Sequence, residues 1–354
     1  MTRDLRFFQA INEATDLCLA RDPSVYLMGL HVPADPKGVF GTVLGLQKKY
    51  GPDRVMDMPT SENGMTGMAI GSSLVGMRPI MVHQRVEFAL LAVEQIINQA
   101  ANWHYMFGGQ DAMPLVIRMM IGRGWGQGPQ HSQSLQAMFA HVPGLKVVMP
   151  VTPHDAKGLL IAAVEDNNPV IYLEHRWLHN IFGPVPEGRY TVPIGQARTA
   201  RPGRDVTIVA TSYMVLESLR AADLLAKDGI DAEVVDVRTL RPLDTRHILA
   251  SVHKTGRLVA VDGAWRSLGF AGEIVALVAE RTYGTLKAAP RRVTFPDVPT
   301  PSTPALAQHF YPRAVHIVNE IRTMMGLPEV TEEQLGIQHE TPLDVPDKGF
   351  SGPF

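Results

Sequence analysis

One cysteine, Cys18, is all the sequence offers, which excludes an intrachain disulfide and a multi-cysteine metal site. So little thiol chemistry fits a reducing compartment. Blocks of lysine and arginine are also missing. The 33 basic and 35 acidic residues leave a net charge of −2, without the basic footprint of a nucleic-acid-binding surface. No uncharged apolar run approaches the ~18 residues of a membrane span. The opening residues Met1 to Phe8 lack the apolar core of a signal peptide. The expectation is a cytoplasmic protein with no membrane or nucleic-acid partner.

What is present is ordinary globular composition, 45% hydrophobic and 19% charged over 354 residues, long enough for two cores. Apolar runs at Val25–Gly29, Arg78–His83, Leu115–Met120, Lys146–Pro150 and Val170–Glu174 read as strands. They alternate with helical patterns over 5–20, from Ser61, over 88–106 and over 153–165. Such alternation predicts a largely parallel sheet. From Phe182 to Asp205 the composition turns to Pro, Gly and Arg. A second strand–helix series follows, closed by a helix over 305–325. The fold class read from this is α/β, with two doubly wound domains at 1–185 and 205–327. A linker over 186–204 joins them, and 328–354 forms an extended tail.

The chain is organised around Val55 to Gly76, a short strand, a proline-broken turn and a helix with Ser61 and Glu62 in its first turn. Gly64, Gly67, Gly71 and Gly76 each cost about 1 kcal/mol in a helix interior. That cost is accepted where another backbone approaches closely, so this helix is placed in the fold's centre or at a tight subunit contact. Two further carriers of chemistry lie at strand ends. Gly122 to Ser132 holds four glycines within seven residues but lacks the Walker A spacing. It reads as a mobile loop ordered when something binds, ending in His131, an available acid, base or donor. Phe88 opens the next helix. Taken singly, Glu62 is equally a first-turn helix residue, His131 a loop histidine and Phe88 a core aromatic. No activated serine or cysteine accompanies them, and no second histidine stands at zinc-ligand spacing.

The order Thr60-Ser61-Glu62-Asn63-Gly64, Phe88, then Gln130-His131-Ser132-Gln133 resembles the beta chain of the thiamine diphosphate-dependent 2-oxoacid dehydrogenases, of pyruvate and branched-chain type. Further landmarks are Gly144-Leu145-Lys146-Val147-Val148, Asp166-Asn167-Asn168-Pro169, Arg238 to Pro242 and Asp297 to Pro301. The resemblance runs over roughly 5–327. It implies a transketolase-like pyrimidine-binding domain followed by a transketolase C-terminal-like domain. It implies that Glu62 shares a proton with the aminopyrimidine ring of thiamine, that Phe88 stacks on that ring, and that His131 faces the substrate. Thr60 joins the cofactor-binding set. Leu115, Ala163, Asp166 and Asn168 match a potassium site of some members. The family's Gly-Asp-Gly motif for Mg2+ and diphosphate belongs to a partner alpha chain and does not occur in this sequence. The cofactor is then shared with an alpha subunit in an α2β2 heterotetramer, and a lipoyl acyltransferase docks near the C-terminal domain.

Departures concern the substrate. Where the family carries an acidic pair after the first strand, Leu30 and His31 stand here. His83-Gln84-Arg85-Val86-Glu87 replaces a largely apolar segment before Phe88. Leu30, His31, Arg85 and Arg123 are therefore the expected substrate-determining positions, the arginines favouring an anionic or polyhydroxylated molecule. Three functions follow from the resemblance: a decarboxylating 2-oxoacid dehydrogenase passing an acyl group to lipoamide, a two-chain transketolase-like or carboligase enzyme, and a non-catalytic beta chain. Intact Glu62 and His131 argue against the last.

Overall fold

A computed structural model describes residues 2–33, 38–122, 124–339 and 341–346. In chain order, the first unit comprises β1 (Thr2–Arg6), α1 (Phe7–Arg21), β2 (Val25–Gly29), α2 (Leu46–Tyr50), β3 (Val55–Met56), α3 (Glu62–Leu74) and β4 (Arg78–His83). A broken helical run follows, from α4 (Val86–Ala89) through a π turn at Gln95–Ala100 to α5 (Ala101–Met106). Then come β5 (Val116–Ile121), α6 (Gln136–His141), β6 (Lys146–Val148), α7 (Pro153–Glu165), β7 (Val170–His175) and β8 (Phe182–Pro186). The second unit comprises β9 (Arg198–Arg201), β10 (Val206–Ala210), α8 (Met214–Lys227), β11 (Ala232–Asp236), β12 (Thr239–Arg241), α9 (Thr245–Thr255), β13 (Leu258–Trp265), α10 (Phe270–Thr282), β14 (Arg291–Phe295), α11 (Pro304–Ala307) and α12 (Ala314–Met324).

The large sheet runs β12-β6-β7-β5-β4-β2-β3 and the smaller one β14-β13-β10-β11-β9, each parallel except for its antiparallel edge strand, β12 or β9. Strands β2, β5 and β7 are buried along their whole length, as expected where helices cover both faces of a parallel sheet. Parallel register aligns Ile80 with Val116 and Ile117 with Ile171, so the carboxyl ends of β4, β5 and β7 share one edge. Loops leaving that edge are where open α/β sheets place their ligands.

Two charges sit in the centre of the large sheet. Arg118 on β5 donates through Nε to Glu174 Oε1 on β7 at 2.7 Å, and both side chains are fully buried. His179 Nε2 lies 3.4 Å from the other carboxylate oxygen. Burial pushes the Glu174 carboxyl up, but Arg118 and His179 outweigh it and hold the group below the usual carboxylate range. A pair of this kind contributes little net stability over an apolar pair, yet losing one partner is costly.

Several expectations are corrected. The first helix starts at Phe7 because 2–6 form a strand paired antiparallel with β8, inside the stretch read as turning into a linker. The linker 186–204 is not structureless either: it supplies β9, the edge of the second sheet. Proline and arginine hid these strands, and edge strands tolerate both. The helix read over 88–106 begins at Val86 and is interrupted. The helix read over 305–325 is two helices, α11 and α12. Strand β12, from the second domain, closes the first domain's sheet by pairing with β6. Gln136 Nε2 adds a 2.8 Å bond to Asp262 across the same boundary. Among the described residues no helix is long and apolar enough to cross a membrane.

Candidate active site

Glu62 is the first residue of α3, at the carboxyl end of β3, and only 6% exposed. Thr66 fixes the turn by donating to the Glu62 backbone carbonyl at 2.7 Å. The Glu62 carboxylate itself takes no hydrogen bond from any described residue. Its oxygens are not among the fully buried atoms, so they stay open to a partner from outside the chain. The glycines of α3 show where such a partner has room. An added Cβ at Gly71 would meet nothing within 4 Å, and at Gly67 only the end of Gln95. Gly64, Met68, Gly71 and Val75 form one exposed stripe, with Met68 64% and Val75 81% exposed. The helix therefore does not accommodate a second backbone of its own chain. Leu91, on the part of the helical run that packs beside α3, is exposed as well, and so are Tyr105 and Met106 farther along that run.

Phe88 and His131 come together. Their ring centroids lie 5.7 Å apart with planes at 80°, an edge-to-face pair. Both are half-buried. The His131 Nδ1 is 2.6 Å from the Gln130 carbonyl, an acceptor, which places the proton on Nδ1 and leaves Nε2 as the other ring nitrogen. Arg85 joins the pair: its Nη1 donates to the His131 carbonyl and to Gln127 Oε1, each at 3.3 Å. Glu87, of the unusual segment before Phe88, accepts from the Gln133 amide at 2.6 Å and so fixes the chain two residues beyond His131. Burial pushes the Glu87 carboxyl up, partly offset by that amide. The signal for Glu87 was available, an acid immediately before the aromatic at a helix start.

Gln84, Arg85 and His131 line a small cavity with Phe40, Met120, Ile121 and Arg176. Its volume is about 10 Å³, room for one water rather than a substrate. The Arg176 guanidinium lies over the Phe40 and Trp125 rings at 4.6 and 5.6 Å. Sequence gave no hint of Phe40 or Arg176, since only folding brings residues so far apart in the chain together. Leu30 reaches this edge through its carbonyl, which accepts from Gln84 Nε2 at 3.0 Å. His31 is exposed, in a left-handed conformation with φ 57°, and its amide donates to Asp57 at 2.7 Å. Thr60 is exposed beside the N-cap Ser61. Arg123 lies outside the described residues. No hydrogen bond or ring contact joins Glu62 to Phe88 or His131; Phe88 and His131 follow the neighbouring strands β4 and β5, and Glu62 follows β3, with β2 lying between β3 and β4.

The glycine-rich segment is more structured than expected. Its ends are tied by Gly122 N–H to the Gln133 carbonyl at 3.0 Å and Gly124 N–H to Ser132 Oγ at 3.0 Å. Gly122 is obligatory, because its φ is 56° and a Cβ would stand 2.2 Å from His175 Nε2.

The four residues matched to a potassium site lie at the opposite edge of the sheet, by the amino ends of β5 and β7. The Leu115 carbonyl accepts from Val170 at 2.9 Å and the Ala163 carbonyl from Asp166 at 3.3 Å. The Asp166 carboxylate accepts from Lys146 and from both Asn168 nitrogens. Each carbonyl thus already accepts one hydrogen bond, and the set's one carboxylate is paired with the Lys146 ammonium. Among the described residues no group of three or more His, Cys, Asp or Glu is arranged around a metal position.

Residues 3–180 match the family model of the transketolase pyrimidine-binding domain, and 195–317 that of the transketolase C-terminal domain. The chain is 47% identical over 336 residues to the acetoin:2,6-dichlorophenolindophenol oxidoreductase subunit beta of Cupriavidus necator, covering 92% of this chain and 99% of that one. It is 40% identical over 323 residues to the mitochondrial pyruvate dehydrogenase E1 component subunit beta of Homo sapiens, covering 90% of each. A solved split-gene transketolase, described as an inactive beta4 tetramer, shares the fold, with a TM-score of 0.74 at 23% identity over 91% of this chain and 99% of that one. The chain therefore belongs to the transketolase family, and within it to the beta subunits of the dehydrogenases that include the pyruvate dehydrogenase E1 component.

Proposed function

We propose that this chain is the beta half of a thiamine diphosphate-dependent 2-oxoacid dehydrogenase that decarboxylates its substrate and passes the acyl group to lipoamide. The observation that carries the reading is the near-buried Glu62 carboxylate without a donor in its own chain, on the sheet edge where Phe88 meets His131. A carboxyl there suits a ring nitrogen of the pyrimidine, and the Phe88 face suits the ring itself. When bound, thiamine supplies the carbanion chemistry. Glu62 holds and moves the proton at the ring nitrogen, Phe88 orients the ring, and Thr60 lies beside it. His131 presents an acid or donor to the substrate. Arg85, held against the His131 carbonyl, places a cation where the substrate's carboxylate would sit. Leu30, His31 and Arg123 complete the specificity set.

Mg2+ and the diphosphate are assigned to an alpha subunit, seated on the exposed stripe Gly64, Met68, Gly71 and Val75 in an α2β2 assembly. Potassium at Leu115, Ala163, Asp166 and Asn168, docking of a lipoyl acyltransferase near the C-terminal domain, and a cytoplasmic location belong to the same proposal. The test is co-expression with the alpha partner and assay of dichlorophenolindophenol reduction with pyruvate, longer 2-oxoacids and acetoin. Reduction with a 2-oxoacid supports the reading. Turnover with acetoin alone rules out a carboxylate-recognising Arg85, and turnover only with aldehydes or sugars replaces the dehydrogenase by a carboligase.

A further inference from the structure

The loop that carries His131 is clamped from outside by the end of the chain. Trp125 N–H donates to the Asp344 carbonyl at 2.9 Å, and Gly126 N–H donates to the Asp344 carboxylate at 2.6 Å. Asp344 is 3% exposed, so these bonds are shielded from water. The segment bearing Asp344 is itself held. Arg313 Nη2 donates to the carbonyls of Leu343 at 2.5 Å and Val345 at 3.0 Å. Arg313 is fixed in turn by Glu217 on α8, at 3.3 Å, and by the Trp177 ring, 4.8 Å from its guanidinium carbon. A continuous series of bonds thus joins the second domain's helices to the glycine-rich loop.

The loop's sequence is fitted to this contact. Gly124, Trp125 and Gly126 all have positive φ, 70°, 55° and 66°, which turns successive amides toward the same side. Of these amides Gly124 N–H bonds Ser132 Oγ, while Trp125 N–H takes the Asp344 carbonyl and Gly126 N–H its carboxylate, so Asp344 meets two successive amides with two different acceptors. A Cβ on Gly124 would stand 1.8 Å from the Asp344 carbonyl oxygen, so the glycine exists to admit the strap. At Gly128 a Cβ would stand 2.3 Å from Ser302 Oγ, a second place where the far domain presses on the loop.

We infer that the segment Pro342–Pro346 is a strap that sets the position of the His131 loop, and that Asp344 is its positioning residue. Asp344 acts on Trp125 and Gly126, and the loop passes the constraint to His131 through the His131 N–H bond to the Gly128 carbonyl. The inference rests on the reading of His131 as part of the reacting site.

The experiment compares Asp344→Ala, Asp344→Asn and a chain ending at His339, each full complex co-expressed with the alpha subunit. Hydrogen exchange is followed by fragment mass spectrometry alongside steady-state kinetics with the 2-oxo substrate. In Asp344→Ala, which keeps the backbone carbonyl that Trp125 uses, exchange at Gly126 rises at least about tenfold, as expected for loss of a charge-assisted bond, and in the shortened protein it rises at both Trp125 and Gly126, while α3 and β5 keep their rates. Turnover falls roughly 10- to 100-fold through kcat, with KM changed by less than about threefold. Asp344→Asn, which keeps an oxygen acceptor in place, regains most of the activity. Unchanged exchange at Gly126 in both proteins, or at Trp125 in the shortened one, overturns the strap. Acceleration spread evenly over α3 and β5 also overturns it, because Asp344 then holds the whole fold. Faster loop exchange with undiminished kcat overturns the positioning role. His131→Ala is the separate control: full turnover in that variant sinks the site reading, whereas the exchange result judges the strap independently.

Discussion

Replacing Glu62 by glutamine separates chemistry from architecture more cleanly than any other change in this chain. The side chains are nearly isosteric, so packing around this 6%-exposed position is kept. What disappears in the folded chain is a negative charge at the first position of α3, worth about 0.3–1 kcal/mol against the helix dipole. The Thr66 bond goes to the Glu62 backbone carbonyl and survives. For a domain of this size the melting temperature should then fall by no more than about 4 °C. A carboxyl that exchanges a proton with the bound cofactor contributes far more, about 10²–10⁴-fold in rate. That range corresponds to about 2.7–5.5 kcal/mol of barrier. The assay is exchange of the thiamine C2 proton in the complex with the alpha subunit, read by rapid quench and NMR. Exchange should slow by at least about a hundredfold while the melting temperature barely moves. Exchange at the wild-type rate in a folded variant would falsify the role given to Glu62. A large loss of stability without slower exchange would make it a structural residue.

Two further outcomes test the scaffold. Glu174→Leu strands the fully buried Arg118 and should cost about 3–5 kcal/mol in urea unfolding, whereas Glu174→Leu combined with Arg118→Met should recover most of it; a single variant within about 1 kcal/mol of the parent contradicts the account. Burial pulls His83 and His179 down to about 4 and His175 well below its ordinary value, while it pushes Asp236 up to about 6. The depressed histidines contribute stability above pH 6.5 that is lost as the unfolded chain takes up protons on the way down to about pH 4. The raised Asp236 acts oppositely, its contribution present at low pH and lost as pH rises through about 6. His316, also lowered by burial, adds to the histidines, and the raised Glu87 and Asp262 add to Asp236, so four histidines stand against three acids; stability read from urea midpoints should fall as pH is lowered from 6.5 toward 4, and a rise on that descent would refute it.

The sequence by itself determined most of the local structure and the chemistry. Arg78–His83 is a strand and Pro153–Glu165 a helix because apolar period, proline and capping agree within a dozen residues. Glu62, Phe88 and His131 were legible because each sits just after a strand, where an α/β fold must bring its loops to one edge. The pairing of Phe88 with His131 then follows from β4 lying beside β5.

Other features have causes that no short window of sequence contains. The strands at 2–6 and 182–186 form because each is the other's partner. Thr239–Arg241 is a strand because β6 offers it an open edge. The glycines of α3 read as a close approach either in the fold's centre or at a subunit contact; they lie on an exposed stripe, which removes the first alternative, because which face of a helix is covered depends on what packs there. The tail looked featureless because its partners, Trp125, Gly126 and Arg313, stand elsewhere in the chain. Sequence narrowed which groups are candidates for the chemistry, since that depends on side-chain type and local turn geometry. Tertiary structure decided what holds those groups still, since backbone amides and carbonyls find their partners only when distant segments meet.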